Sequence, residues 1–181
     1  KREFNSLLPP LRQFVKQIGV DENQRFSVLR KKKVKMKIQI KKANKKDYKE
    51  IAEIYMEEFS KPPYNESWTK KKAVEKINIF SKYCDVWKII YNKKIIGFIS
   101  VNPHWFFPGK YAFGEDIAIK KEFQRKGIGT FVFNEIFKIY KQKGFEYFMG
   151  VANTKSKAIK LYKKLKILSS RDNLFIERKL N

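Results

Sequence analysis

Two adjoining stretches, Tyr111–Ile119 and Gln124-Arg125-Lys126-Gly127-Ile128-Gly129-Thr130, decide how this chain folds. The first ends in the apolar run Ile117-Ala118-Ile119 and reads as a strand. After the second, Phe131, Val132, Ile136, Phe137 and Tyr140 recur at helical spacing until Gly144. Gly127 and Gly129 therefore open a helix directly after a strand. Glycines allow positive φ and close backbone approach. The first turn of a helix offers unpaired N–H groups and a positive dipole end. Together these predict a cradle for a pyrophosphate, with Arg125 and Lys126 adding charge. The spacing matches neither G-x-G-x-x-G nor G-x-x-x-x-G-K-[ST], which excludes dinucleotide and P-loop cradles.

Upstream, Val34, Met36, Ile38 and Ile40 alternate with Lys35, Lys37, Gln39 and Lys41, a half-buried strand with its polar side outward. Asn44 through Asp47 resembles a capping box. Ile51, Ile54, Tyr55 and Phe59 then mark one face of a helix that Pro62 and Pro63 stop. A second helix is predicted from Thr69 to Lys82, with Ala73, Val74, Ile77 and Phe80 inward. Val86–Tyr91 and Ile95–Val101 flank Asn92-Lys93-Lys94 and read as a hairpin. Pro103 to Gly109 is an aromatic loop. Downstream, Phe145–Ala152 reads as a strand, Ser156–Leu165 as a helix, and Ile167–Ser169 and Leu174–Lys179 as closing strands. This order predicts an α+β fold: a mixed, mostly antiparallel central sheet flanked by helices.

Residues 1–35 read as a short helical N-terminal extension, with Leu11, Phe14, Val15 and Ile18 on one face before Gly19. The domain proper is expected over residues 36–181. The chain has 181 residues, 43% hydrophobic and 15% aromatic, enough for one core. Lys+Arg is 42 against 18 Asp+Glu, a formal charge of +24. A field of that sign attracts polyanions and phosphorylated cofactors. Lysine is spread along the whole chain, however, and reads first as general enrichment. No apolar run reaches the length of a bilayer crossing, and no leader pattern opens the chain, so a cytoplasmic protein without membrane contact is expected. Single Cys84 and single His104 exclude an internal disulfide and a His- or Cys-built metal site; no metal is expected.

Q-x-x-G-x-G after a strand, with Asn153, Ala158 and Tyr162 spaced as N-x-x-x-x-A-x-x-x-Y, resembles the two signatures of the GCN5-related N-acetyltransferases (GNAT). The element order is similar to theirs over about residues 36–180. By that resemblance Met36 reads as an alternative natural start. One departure is Lys163-Lys164-Leu165-Lys166-Ile167, where family members end the helix in glycine and phenylalanine. The resemblance implies acetyl-CoA as co-substrate and transfer of its acetyl group to a primary amine by direct attack in a ternary complex. It implies that backbone groups of Ile117 and Ile119 bond the pantetheine arm. Backbone N–H groups from Gln124 through Arg125, Lys126, Gly127, Ile128 and Gly129 to Thr130 hold the pyrophosphate. Asn153 bonds the arm near its thiol end, Ala158 belongs to the same signature, and Tyr162 protonates the departing thiolate.

The acceptor must lose a proton, and Glu115 is the expected base, or water acts in its place. Period 2 puts Glu115 on one face with Phe113, Ile117 and Ile119 and sends Asp116 the other way. Tyr64, Glu66 and Trp68, between the first two helices, suit a cationic amine through aromatic faces and a carboxylate. Tyr64 and Trp68 also fit as caps on the core. His104-Trp105-Phe106-Phe107 offers an opposite wall, or a structural loop. The acceptor is a small molecule or a protein amine. A non-catalytic acyl-CoA-binding domain and a basic nucleic-acid-binding protein are the alternatives. The chain carries no motif that reads nucleic-acid sequence, so specific nucleic-acid binding is not expected.

Overall fold

The computed structural model describes residues 37–170 and Arg178. The predicted Leu11–Ile18 helix, Val34 and Met36, and the Leu174–Lys179 strand apart from Arg178 lie outside these residues. The described elements run β1 (Ile38–Lys42), α1 (Tyr48–Phe59), α2 (Lys70–Tyr83), β2 (Asp85–Tyr91), β3 (Lys94–Asn102), β4 (Tyr111–Ile119), α3 (Ile128–Gln142), β5 (Tyr147–Gly150) and α4 (Ile159–Lys164). The five strands form one sheet in sequence order. β1 to β4 pair antiparallel, and β4 pairs with β5 in parallel. This is the mixed, mostly antiparallel sheet that the element order predicts.

Local chemistry sets the boundaries. The N–H of Asn44 donates to Asp47 Oδ2 at 2.8 Å, and the Lys46 N–H donates to Asn44 Oδ1 at 3.0 Å. Both satisfy donors that the turn before α1 leaves free. Thr69 Oγ1 accepts from the Lys72 N–H at 3.3 Å and caps α2. Asn92 and Lys93 both take positive φ, 47° and 62°, and Tyr91 pairs directly with Lys94. That two-residue turn matches the right-handed twist of the flanking strands.

Every residue of β3 after Lys94 is buried. Its continuous apolar run follows from burial on both faces. Phe98 and Ala118 join the cluster of Ile51, Ile54, Tyr55, Phe59, Ala73, Ile77 and Phe80 under α1 and α2. Ile99, Val101 and Ala112 are also buried and alternate to the opposite side. There α3 buries Val132, Ile136 and Tyr140, and Phe133 and Phe137 both pack edge-on against Phe148 at 5.9 and 5.2 Å.

Three expectations change at the C-terminal side. α4 begins at Ile159, not Ser156, because Ser156 caps the preceding turn: Ser156 Oγ accepts from the Ala158 N–H at 3.2 Å. β5 spans only Tyr147–Gly150, since β4 offers it no partner beyond Gly114. Ile167–Ser169 is not a strand: it pairs with nothing among the described residues, and Leu168 is 77% exposed.

The missing helix-ending glycine has a structural consequence. Lys166 stands in its place with φ of 58°. The Ile167 N–H donates to the Tyr162 carbonyl at 3.0 Å, and the Lys166 N–H to the Lys163 carbonyl at 3.1 Å. This is the helix-ending motif that normally uses glycine at that position. A lysine there carries a steric cost of about 1 kcal/mol. Lys166→Gly is therefore expected to stabilise the fold by about 1 kcal/mol, measured by chemical denaturation. A destabilised variant would contradict the assignment of this cap.

Candidate active site

β4 and β5 pair from Tyr111↔Tyr147 to Gly114↔Gly150 and then part. β4 continues five residues further, to Ile119, along β3 alone. Successive peptide groups of a strand point to opposite edges. The Ile119 carbonyl accepts from Gln124 Nε2 at 2.7 Å, so Ile117 presents its peptide groups to the same open edge. Of the backbone groups predicted to bond a ligand there, the Ile119 carbonyl is already occupied by Gln124. The same Gln124 amide reaches Glu58 Oε2 at 2.8 Å, and Lys61 Nζ holds Glu58 Oε1 at 3.0 Å. Gln124 thus ties the turn to the end of α1.

Arg125 and Gly127 take positive φ, 62° and 82°, on either side of Lys126. Alternation of this kind curls a backbone so that its N–H groups converge on one concavity. A side chain at Gly127 would meet open space, so glycine is required there by conformation. Gly129 differs: a Cβ would lie 2.8 Å from Leu161 Cδ2. Its lack of a side chain lets α3 and α4 approach. The donors at the start of α3 face a groove of about 770 Å³. Ile117, Ile119, Gln124, Arg125, Gly127, Gly129, Thr130, Ala158 and Tyr162 line it, as do Tyr64 and Ser156. Lys61, Lys121, Lys155, Lys157 and Lys164 surround it with positive charge.

Lys126, Ile128, Asn153, Glu66, Trp68 and Glu115 are not among the residues that line the groove. Lys126 lies over the Phe123 ring at 5.6 Å, and the Ile128 side chain is buried. Asn153 is half-buried and spends its Oδ1 on the Lys155 N–H at 2.9 Å. Tyr162, on α4, meets Phe133 edge-on at 5.6 Å. Burial, with smaller help from Tyr64 and Asp116, pushes its phenol up to about 12. Tyr64 packs on Phe59 at 4.9 Å, and its hydroxyl donates to Ser156 Oγ at 3.4 Å. Trp68 meets Tyr55 edge-on at 4.7 Å, and its indole N–H donates to Glu66. Both aromatic residues pack on the core, as the capping alternative expects.

The β4 carboxylates depart from the predicted arrangement. Ser100 pairs with Asp116, but Val101 pairs with Gly114, so Glu115 is an extra residue in β4. Such a bulge breaks the period of two. Glu115 Oε1 accepts from Asn102 Nδ2 at 3.1 Å. Asp116 Oδ2 accepts from the Tyr55 hydroxyl of α1 at 3.1 Å. Both carboxylates therefore lie on the face of α1 and α2, whereas Ile117 pairs with Ile99 and turns to the other side. Asp116 does not point away from Glu115, and Glu115 does not share a face with Ile117 and Ile119. Burial raises Asp116 to about 6. Lys76 and the Tyr55 hydrogen bond oppose that rise, and Glu115 and Glu66 add to it. No residue type signals the bulge, so alternation alone missed Asp116 and its partner Tyr55.

Cys84 is buried in the core beneath α1 and α2, and burial pushes its thiol up to about 12, which makes it a poor nucleophile. None of His104, Trp105, Phe106 and Phe107 lines the groove. Trp105 stacks on Phe113 at 4.2 Å, and Phe106 and Phe107 are exposed. Among the described residues no group of three or more His, Cys, Asp or Glu is placed to hold a metal ion. No helix among them is long and apolar enough to cross a membrane.

Residues 48–166 match the model of the Acetyltransferase (GNAT) family. The chain belongs to the GNAT family. Solved acetyltransferase structures share the fold. A possible acetyltransferase from Clostridium difficile 630 is 16% identical with a TM-score of 0.66, covering 80% of this chain and 98% of that one. Aminoglycoside N-acetyltransferase AAC(6')-Iy, solved with CoA, is 12% identical with a TM-score of 0.64, covering 80% and 97%. An aminoglycoside acetyltransferase from an uncultured soil metagenomic sample, solved with sisomicin, is 17% identical with a TM-score of 0.60, covering 80% and 97%. A comparison with curated protein sequences gives no match.

Proposed function

We propose that the chain is an N-acetyltransferase that moves the acetyl group of acetyl-CoA to a cationic primary amine. One observation carries the reading: β4 leaves β5 beside the left-handed turn at Arg125 and Gly127, so a cationic groove runs from converging N–H groups to Tyr162. A groove of about 770 Å³ is in the range of pockets that enclose extended ligands. The N–H groups from Arg125 to Thr130 receive the pyrophosphate, the Gln124 N–H being spent on the Lys121 carbonyl at 3.2 Å, and the lysines around the groove attract its charge. The open edge of β4 at Ile117 and the Ile119 N–H bond the pantetheine arm as an added strand would. Asn153 and Ala158 border that arm.

The acceptor enters from the face of α1 and α2, where Tyr64, Glu66, Trp68, Glu115 and Asp116 supply aromatic surface and negative charge. In the reaction the amine nitrogen bonds the acetyl carbon and the carbon–sulfur bond breaks. Asp116 takes one proton from the cationic amine and leaves the neutral nucleophile. Its raised affinity for protons makes it a stronger base than an ordinary aspartate. Glu115, held by Asn102, contributes charge beside it. Tyr162 gives its proton to the departing thiolate and takes back the second nitrogen proton, lost as the amide forms.

Acetyl-CoA at about 100 times its dissociation constant is expected to stabilise the fold by about 2.7 kcal/mol. Gly129→Val is expected to remove that effect and leave the free protein folded. The added side chain displaces the flexible end of Leu161, which lines the groove. Differential scanning fluorimetry with and without acetyl-CoA measures both. An unchanged ligand response in the variant would remove the groove from this reading.

A further inference from the structure

Ser100 is fully buried in β3, and its Oγ has no hydrogen-bond partner among the described residues. Buried hydroxyls are almost always paired, so an orphan calls for a reason. Ser100 is the direct cross-strand neighbour of Asp116. Side chains in that relation have Cβ atoms about 4.5–5.5 Å apart on the same face. Asp116 also receives the Tyr55 hydroxyl on Oδ2 at 3.1 Å. One carboxylate thus has two hydroxyl neighbours, Tyr55 from α1 by a hydrogen bond and Ser100 from β3 by register.

We propose that Ser100 and Tyr55 are positioning residues for Asp116, with the Ser100 hydroxyl turning to donate to the oxygen that Tyr55 leaves free. The inference rests on the reading of Asp116 as proton acceptor. Two donors fix the carboxylate plane and hold the remaining lone pairs toward the acceptor side. They also favour the ionised form, which burial opposes. The other charged or titratable groups acting on Asp116 are Lys76 from α2, which also favours ionisation, and Glu115 and Glu66, which oppose it. Tyr83, Cys84 and Tyr162 are neutral neighbours whose own titration Asp116 raises. Trp68 packs on Tyr55, so the α1–α2 loop reaches Asp116 through the Tyr55 ring.

The carboxyl carbon resonance of Asp116, followed against pH by NMR in the free full-length protein, tests this without an acceptor. Asp116→Asn assigns the signal. The wild-type midpoint is expected well above that of an ordinary aspartate. Ser100→Ala and Tyr55→Phe are each expected to raise it by about one pH unit, a tenfold change in proton affinity, with native-like amide spectra. A role in packing alone leaves the midpoint in place, so an unmoved midpoint in Ser100→Ala overturns the proposal. The acid limb of thiol release from acetyl-CoA, with spermidine, kanamycin and a lysine peptide as acceptors, separates the two readings. Limbs that follow the NMR midpoints support both. Midpoints that move under an unmoved limb keep the positioning role and reject Asp116 as the proton acceptor.

Discussion

Asp116→Asn is expected to lower kcat by about 10² to 10⁴-fold and at the same time to raise the melting temperature at pH 8. The two effects have one cause. Burial holds the Asp116 carboxyl at about 6 instead of 3.8. A group whose folded pKa is raised stabilises the fold fully below its unfolded pKa, and that contribution disappears as pH rises through the folded value. Above pH 6 the protein therefore carries a charge that folding disfavours, at a cost of about 3 kcal/mol. Asparagine keeps an oxygen for the Tyr55 hydroxyl and carries no charge. The stability gained should be largest at pH 7 to 8 and vanish near pH 4. Wild-type activity itself should rise through an acid limb near pH 6, as Asp116 ionises. Thermal melts from pH 4 to 8 and the pH–rate profile measure these effects. Wild-type turnover in Asp116→Asn would take Asp116 out of the chemistry, and melting curves that coincide at every pH would contradict the burial argument.

Tyr162→Phe is expected to reduce kcat by a similar factor, about 10² to 10⁴-fold, and to leave acetyl-CoA affinity nearly unchanged. The substitution removes one hydroxyl and keeps the ring that packs against Phe133 at 5.6 Å. With its phenol pushed up to about 12, Tyr162 still carries its proton at pH 9, so it can donate throughout the range in which the acceptor amine becomes neutral. Stopped-flow or steady-state thiol release gives kcat, and isothermal titration gives the affinity. A variant within about twofold of wild-type kcat would reduce Tyr162 to a packing residue.

Where one local rule governed a position, the sequence was legible. Asn44 and Asp47, Thr69, Asn92 and Gly127 each answer a backbone demand at their own position. The apolar faces of α1 and α2 follow from spacing alone. The order of strands and helices led to the sheet and to the groove at the start of α3. Legibility ended where a neighbouring strand decided the outcome. The extra residue at Glu115 arises from the pairing of β3 with β4 and leaves both Glu115 and Asp116 on the face of α1 and α2. Ser100 looked like one more member of a buried strand, because its partner across the sheet is sixteen residues away. Ile167–Ser169 has strand-forming residues, but no strand pairs with it among the described residues. Lys166 adopts a conformation that favours glycine because the turn after α4 requires it.

The most direct test of the central claim is amine-dependent release of free thiol from acetyl-CoA by the purified full-length protein. The acceptors are spermidine, kanamycin, free lysine and a lysine-containing peptide, with mass spectrometry of the acceptor. At least one of these amines is expected to gain a single acetyl group, one for each thiol released, at a rate that falls by about 10²-fold or more in both Asp116→Asn and Tyr162→Phe. Acetyl-CoA binding without acetylation of any of these amines, or acetylation that survives both substitutions, would contradict the account.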